Sequence, residues 1–117
     1  SINFKVKGKK FAQKKQIFND ARAISKSGVF AIVIECVVED LAKKITRSVS
    51  VPTIGIGASK YCDGQIVVTD DLLGLSDFSP RFVKKYSNLK KVVEKSIKNY
   101  SREVKLRRFP SYKNVYR

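Results

Sequence analysis

The stretch VFAIVIECVVED, Val29 to Asp40, constrains the fold more than any other part of the chain. From Val29 to Val38 every residue is apolar or cysteine except Glu35. A continuous, β-branched run of this length is the pattern of a parallel strand covered on both faces, and a strand is expected over 29–37. Its flanks follow a different period. In FAQKKQIFNDARAISKSG, residues Phe11, Ile17, Phe18, Ala21 and Ile24 recur near helical spacing with lysines on the other side. That predicts a helix over 11–28, stopped at Gly28. After the strand, Val38, Leu41, Ile45 and Val49 share one face of a helix expected over 38–49. Glu39 and Asp40 stand at its positive N-terminal end. VPTIGIGAS and GQIVVTD are read as strands over 51–57 and 65–69, and a basic amphipathic helix is expected over 80–106. Strands alternating with helices imply right-handed crossovers and a parallel α/β sheet.

The 117 residues make one domain at most, or a piece of one, and no low-complexity linker or internal repeat divides them. No apolar run approaches the ~20 residues of a membrane span. SINFKVKGKK lacks the apolar core of a secretory signal, and a chain beginning at Ser1 is expected to be trimmed or incomplete. A cytoplasmic protein with Cys36 and Cys62 reduced is therefore expected. The chain has no histidine, which excludes Ser-His-Asp and Cys-His catalysis and His-based zinc sites within it.

The net charge of +15 raises the question of a nucleic-acid partner. Eighteen of the 25 basic residues are lysine, scattered from the N-terminus through Lys43 and Lys44 to Arg108. No base-reading or stacking motif accompanies them, so a solvated surface is expected and nucleic acid is not.

Glu35 is the first candidate for chemistry. Strand alternation places Ala31, Val33 and Glu35 on one face and Ile32, Ile34 and Cys36 on the other. Functional groups of parallel α/β folds gather at the C-terminal ends of strands. A carboxylate there, set against apolar walls, would have a raised pKa suited to acid/base work. The bland alternative is a glutamate turned to solvent or capping the next helix. IGIGAS, Ile54 to Ser59, could admit a phosphate to its backbone amides or simply form a tight turn. Asp63 lies in an Asp-Gly turn signature and could bind a ligand or only shape the turn. Asp70 and Asp71 could hold a divalent cation, but capping of a short helix at Leu72–Leu75 is favoured.

Taken in order, VFAIVIECVVEDLAKKIT, SVPTIGIGASKYCDGQIVV, DLLGL and PRFVKKYSNL resemble the C-terminal part of the ketopantoate hydroxymethyltransferase family. The resemblance runs from FKVKGK, starting at Phe4, to Phe109-Pro110. It implies the C-terminal part, about strands six to eight, of a (β/α)8 TIM barrel. It also implies transfer of a hydroxymethyl group from 5,10-methylenetetrahydrofolate to 2-oxoisovalerate, with Mg²⁺ chelated by the keto acid. Glu35 matches the family's acid/base glutamate, and Gly55 and Gly57 match a glycine-rich turn at the pocket rim. The family's magnesium ligands, substrate lysine and pocket histidine have no counterpart here, so the metal is expected to be held outside this chain. The resemblance further implies a homo-oligomer, or completion by an N-terminal part, and an isolated chain that is inactive. Ser59 stands where the family has a glycine, Asp70 where it has a histidine, and SYKNVYR replaces its acidic tail. The rival classes are a small basic nucleic-acid-binding module and a phosphate-binding α/β module.

Overall fold

The computed structural model describes residues 5–117, so Phe4, the first residue of the FKVKGK match, lies outside them. Contacts divide the chain into two units, one running to Val68 and including Pro80–Val83, the other made of Thr69–Ser79 and Lys84–Arg117.

In the first unit, helix α1 (Phe11–Lys26) leads to strand β1 (Ile32–Glu35), helix α2 (Glu39–Ser48), strand β2 (Thr53–Ile56) and the short strand β3 (Gly64–Gln65). The sheet is parallel, in the order β1-β2-β3. The register pairs Ile32 with Thr53, Val33 with Ile54, Ile34 with Gly55 and Glu35 with Ile56. Burial in β1 alternates, as the spacing requires: Ile32 and Ile34 are buried, Val33 and Glu35 exposed. The buried face packs with Ala21 of α1 and with Leu41, Ala42 and Ile45 of α2; Ile17, Phe18, Val38 and Val49 close its margins. Phe11 and Ile24, expected on the same stripe, are 83% and 46% exposed. They lie at the two ends of α1, beyond the reach of a four-residue strand.

α1 ends at Lys26, and Gly28 follows with φ +96, the left-handed conformation that lets the chain leave a helix at low cost. β1 is shorter than the apolar run because Cys36 takes φ +53 and ends the strand at Glu35. The third strand differs from the expected 65–69. Gly55 and Ile54 pair with Gln65 and Gly64, and the amide of Ile66 donates to the Gly55 carbonyl at 3.0 Å. β2 then ends at Ile56, and Gly57 turns with φ +61, so among the described residues Val67 and Val68 meet no further ladder, and Ile66–Val68 remain exposed.

In the second unit, helix α3 (Thr69–Leu73) precedes helix α4 (Leu89–Lys105) and a 3₁₀ turn (Tyr112–Asn114). Asp70 and Asp71 fall inside the first turn of α3 rather than capping a helix at Leu72–Leu75. Leu75 N–H donates to the Asp70 carbonyl at 2.8 Å and closes the turn. The long helix expected from Pro80 starts only at Leu89. The residues before it are committed to other bonds: Val83 N–H donates to Pro80 O, and Tyr86 N–H to Leu72 O. Gly74, with φ +70, passes so close to Ser87 that a side chain there would strike its carbonyl. No residue of α4 is buried, and Val93, Ile97, Tyr100 and Val104 stay open. Among the described residues, no helix is long and apolar enough to cross a membrane.

Candidate functional site

Glu35 is the last residue of β1, and its side chain lies on the open face of the sheet. Val33 on the same strand and Ile54 and Ile56 across the register complete that face. The next residue fixes where Glu35 ends up. Cys36 is buried, and its left-handed backbone is held from both sides. Its N–H donates to Ile56 O at 2.9 Å, and its carbonyl accepts from Lys7 N–H at 2.8 Å. Val38 N–H then donates to Lys7 O at 3.0 Å, just before α2 begins. A non-glycine residue in this conformation costs about 1–2 kcal/mol and persists only where its surroundings enforce it.

The apolar enclosure expected around Glu35 is not formed by the described residues. Val33 is 55% exposed and Glu35 itself is open. A groove of about 360 Å³ runs along β1, lined by Ile17 and Ile24 of α1 and by Val33 and Glu35 of the strand. Among the described residues, only Lys7, bridged in parallel to Val37, continues the sheet past β1 on that side.

The two glycines do not join Glu35. Gly55 pairs with Ile34 and so faces the helix-covered side of the sheet. A Cβ built there would meet Cys62 Sγ and the Gln65 amide nitrogen, each at 3.1 Å. Gly57 lies under the Phe82 ring, and its Cβ would come within 2.5 Å of that ring. At Gly57 the Phe82 ring occupies the space a side chain would need, and at Gly55 the neighbouring side chains would have to give way by a few tenths of an ångström. The even spacing from Gly55 to Gly57 does not reach the Glu35 face.

The loop after β2 is organised by residues that sequence reasoning weighed only as turn formers, or not at all. Thr53 is fully buried. Asp63 Oδ2 accepts from the Thr53 N–H at 2.8 Å, and Asp63 N–H donates to Thr53 Oγ1 at 3.3 Å. Thr46 Oγ1 donates to the Ala42 carbonyl at 2.9 Å and lies 2.8 Å from Thr53 Oγ1. The Thr53 hydroxyl has a second acceptor in Asp63 Oδ2 at 3.3 Å, so the two threonines and the carboxylate form one network. Gln65 Nε2 donates to Ser59 O at 2.7 Å, and Ser59 Oγ accepts from Tyr61 N–H at 3.1 Å. The loop therefore turns a carbonyl, not a set of free amides, toward Gln65. Ser59 has no left-handed backbone, so serine fits where the related pattern has glycine. A hydroxyl at a strand start, ten residues before Asp-Gly, is the one sequence signal that could have marked this staple. Among the described residues, no group of three or more Asp, Glu, Cys or His could hold a metal ion.

A family model described as ketopantoate hydroxymethyltransferase matches residues 2–112. The 3-methyl-2-oxobutanoate hydroxymethyltransferase of Pelagibacter ubique is 50% identical over 116 residues, covering 99% of this chain and 45% of that relative. Proteins of the same name from Kosmotoga olearia and Bartonella henselae are each 50% identical over 114 residues, 97% of this chain, and are themselves covered to 43% and 42%. The chain thus spans less than half the length of these curated relatives. With that match running through β1, Glu35 and the Asp63 staple, the chain belongs to the ketopantoate hydroxymethyltransferase family.

Proposed function

We propose that this chain forms the C-terminal part, about strands six to eight, of a (β/α)8 barrel. That barrel transfers a hydroxymethyl group from 5,10-methylenetetrahydrofolate to 2-oxoisovalerate, giving ketopantoate for pantothenate biosynthesis. The observation that carries the reading is Glu35, a lone carboxylate at the C-terminal end of a parallel strand, beside Val33, Ile54 and Ile56 on an open apolar face. The relatives' printed name supports the reaction class. In this reading the open face is the barrel interior, and the rest of the barrel supplies its other wall. Closure excludes water around Glu35, and its carboxylate then takes or returns a proton beside the keto acid. Cys36 fixes the strand end from which the carboxylate projects. Among the described residues no group of three or more carboxylates gathers to hold the Mg²⁺ that goes with this reaction, so no step is assigned to it here. A cytoplasmic location and a homo-oligomer, or completion by an N-terminal part, belong to the same proposal.

The test is turnover. The chain alone, given 2-oxoisovalerate, methylenetetrahydrofolate and Mg²⁺, is expected to release no ketopantoate. Joined to the upstream region of a relative such as the Pelagibacter ubique protein, it is expected to turn over. There Glu35→Gln lowers kcat by about 10²–10⁴-fold with thermal unfolding unchanged. Full activity of Glu35→Gln would remove Glu35 from the chemistry.

A further inference from the structure

The fold gathers aromatic and basic side chains that the sequence scatters. A groove of about 250 Å³ lies between α1 and α2, with Phe18, Leu41 and Phe11 as its apolar surface and Lys14, Lys15 and Lys44 around it. Phe11 presents an almost free ring, 83% exposed. The Lys44 ammonium stands 4.6 Å from the centre of the Phe18 ring, and the Arg22 guanidinium 5.9 Å from the same centre. In the same unit, Lys43 and Lys60 flank the half-exposed ring of Tyr61 at 4.4 and 5.3 Å. The one carboxylate in the groove, Asp40, is bound by Lys14 at 2.7 Å. Among the described residues, Lys15, Lys44, Lys43, Lys60 and Arg22 have no acidic partner. Both walls of the groove belong to helices of one unit.

We propose that this groove docks single-stranded nucleic acid. Charge complementarity selects a polyanion, and the aromatic rings select among polyanions. Flat rings interleaved with cations match a strand that offers a phosphate and a stackable base at each step. An acidic peptide offers the charge without the repeated ring, and a duplex keeps its bases inside, leaving Phe11 nothing to stack on. Phe11 serves as the stacking platform, and Lys15 and Lys44 meet the phosphates.

The experiment is fluorescence anisotropy of this chain with a labelled, unstructured RNA of about a dozen nucleotides. Binding is expected, with affinity falling steeply as salt rises. Phe11→Ala weakens it about tenfold, since one stacked base is worth ~1–3 kcal/mol, and Phe11→Trp restores it. The pair Lys15→Gln/Lys44→Gln makes the slope of log affinity against log salt shallower by about 1.4, at ~0.7 per phosphate contact on a single strand. Lys98→Gln/Lys105→Gln on α4 removes the same charge elsewhere and is expected to leave both readouts unchanged. The proposal is overturned by absence of binding or by Phe11→Ala binding as the parent does. It is equally overturned if the α4 pair costs as much as the groove pair, or if polyglutamate or duplex competes as well as single strand.

Discussion

A methyl group added at Gly57 would meet the Phe82 ring at 2.5 Å, on a backbone whose φ of +61 already disfavours a side chain. Gly57→Ala is expected to destabilise the chain by about 2–5 kcal/mol, the sum of backbone strain and overpacking. Gly28, at φ +96 with nothing within 4 Å, isolates the first term, and Gly28→Ala should cost about 1–2 kcal/mol. Urea unfolding of the two variants separates conformation from contact; equal losses would mean that Phe82 does not seat on Gly57. Thr53→Val keeps volume but strips the donor and acceptor shared by Thr46 and Asp63. About 1–3 kcal/mol is expected, because buried partners are left unsatisfied. At this scale the sequence was legible in part. Glu35 stood out as the one charge in an apolar run, and alternation put it on the face with Val33, which the structure leaves open. The partners of Asp63 were not legible, since a ten-residue separation closes into a hydrogen bond only when β2 and the following loop are placed.

At the scale of elements, α1, α2 and the cores of β1 and β2 follow from periodicity, because their burial is set by local spacing. β3 and the start of α4 do not. Val67 and Val68 have strand composition but, among the described residues, meet no ladder once Gly57 turns β2 away, and Phe82 and Tyr86 have helical spacing but are used elsewhere. α1 and α2 are tied across 26 residues by Lys14 and Asp40. The hydrogen bond from the Lys14 ammonium, foremost, holds the Asp40 carboxyl below its ordinary range. Asp40 therefore binds protons more readily in the unfolded chain, and the stability it contributes grows with pH. That contribution is complete above about pH 4 and is lost as pH falls through the lowered folded value. Lys14→Gln should remove it, so the difference in urea midpoint between the parent and this variant shrinks below about pH 4. A difference independent of pH would dissociate the pair from stability. The pair is well exposed, and the effect is correspondingly small.

Across the whole molecule, apolar surface is left without cover. Val33 is 55% exposed on a strand with no further strand beside it among the described residues, and α4 carries Val93, Ile97 and Tyr100 at 48%, 62% and 57% exposure. Open edges and apolar faces associate. The isolated chain is expected to self-associate with rising concentration in sedimentation velocity, and Val93→Glu/Ile97→Glu should shift it toward monomer. A monomer at all concentrations would show that these surfaces are tolerated in water. The sequence by itself determined the parallel α/β class, the buried face of β1 and the isolation of Glu35, because each depends on a period of two or 3.6 residues. Only the tertiary structure decided that Phe82 seats on Gly57, that Cys36 ends β1 in a left-handed turn, and that Phe11, Phe18 and Lys44 line one groove. Those outcomes rest on which distant segments touch, and spacing along a chain does not encode that.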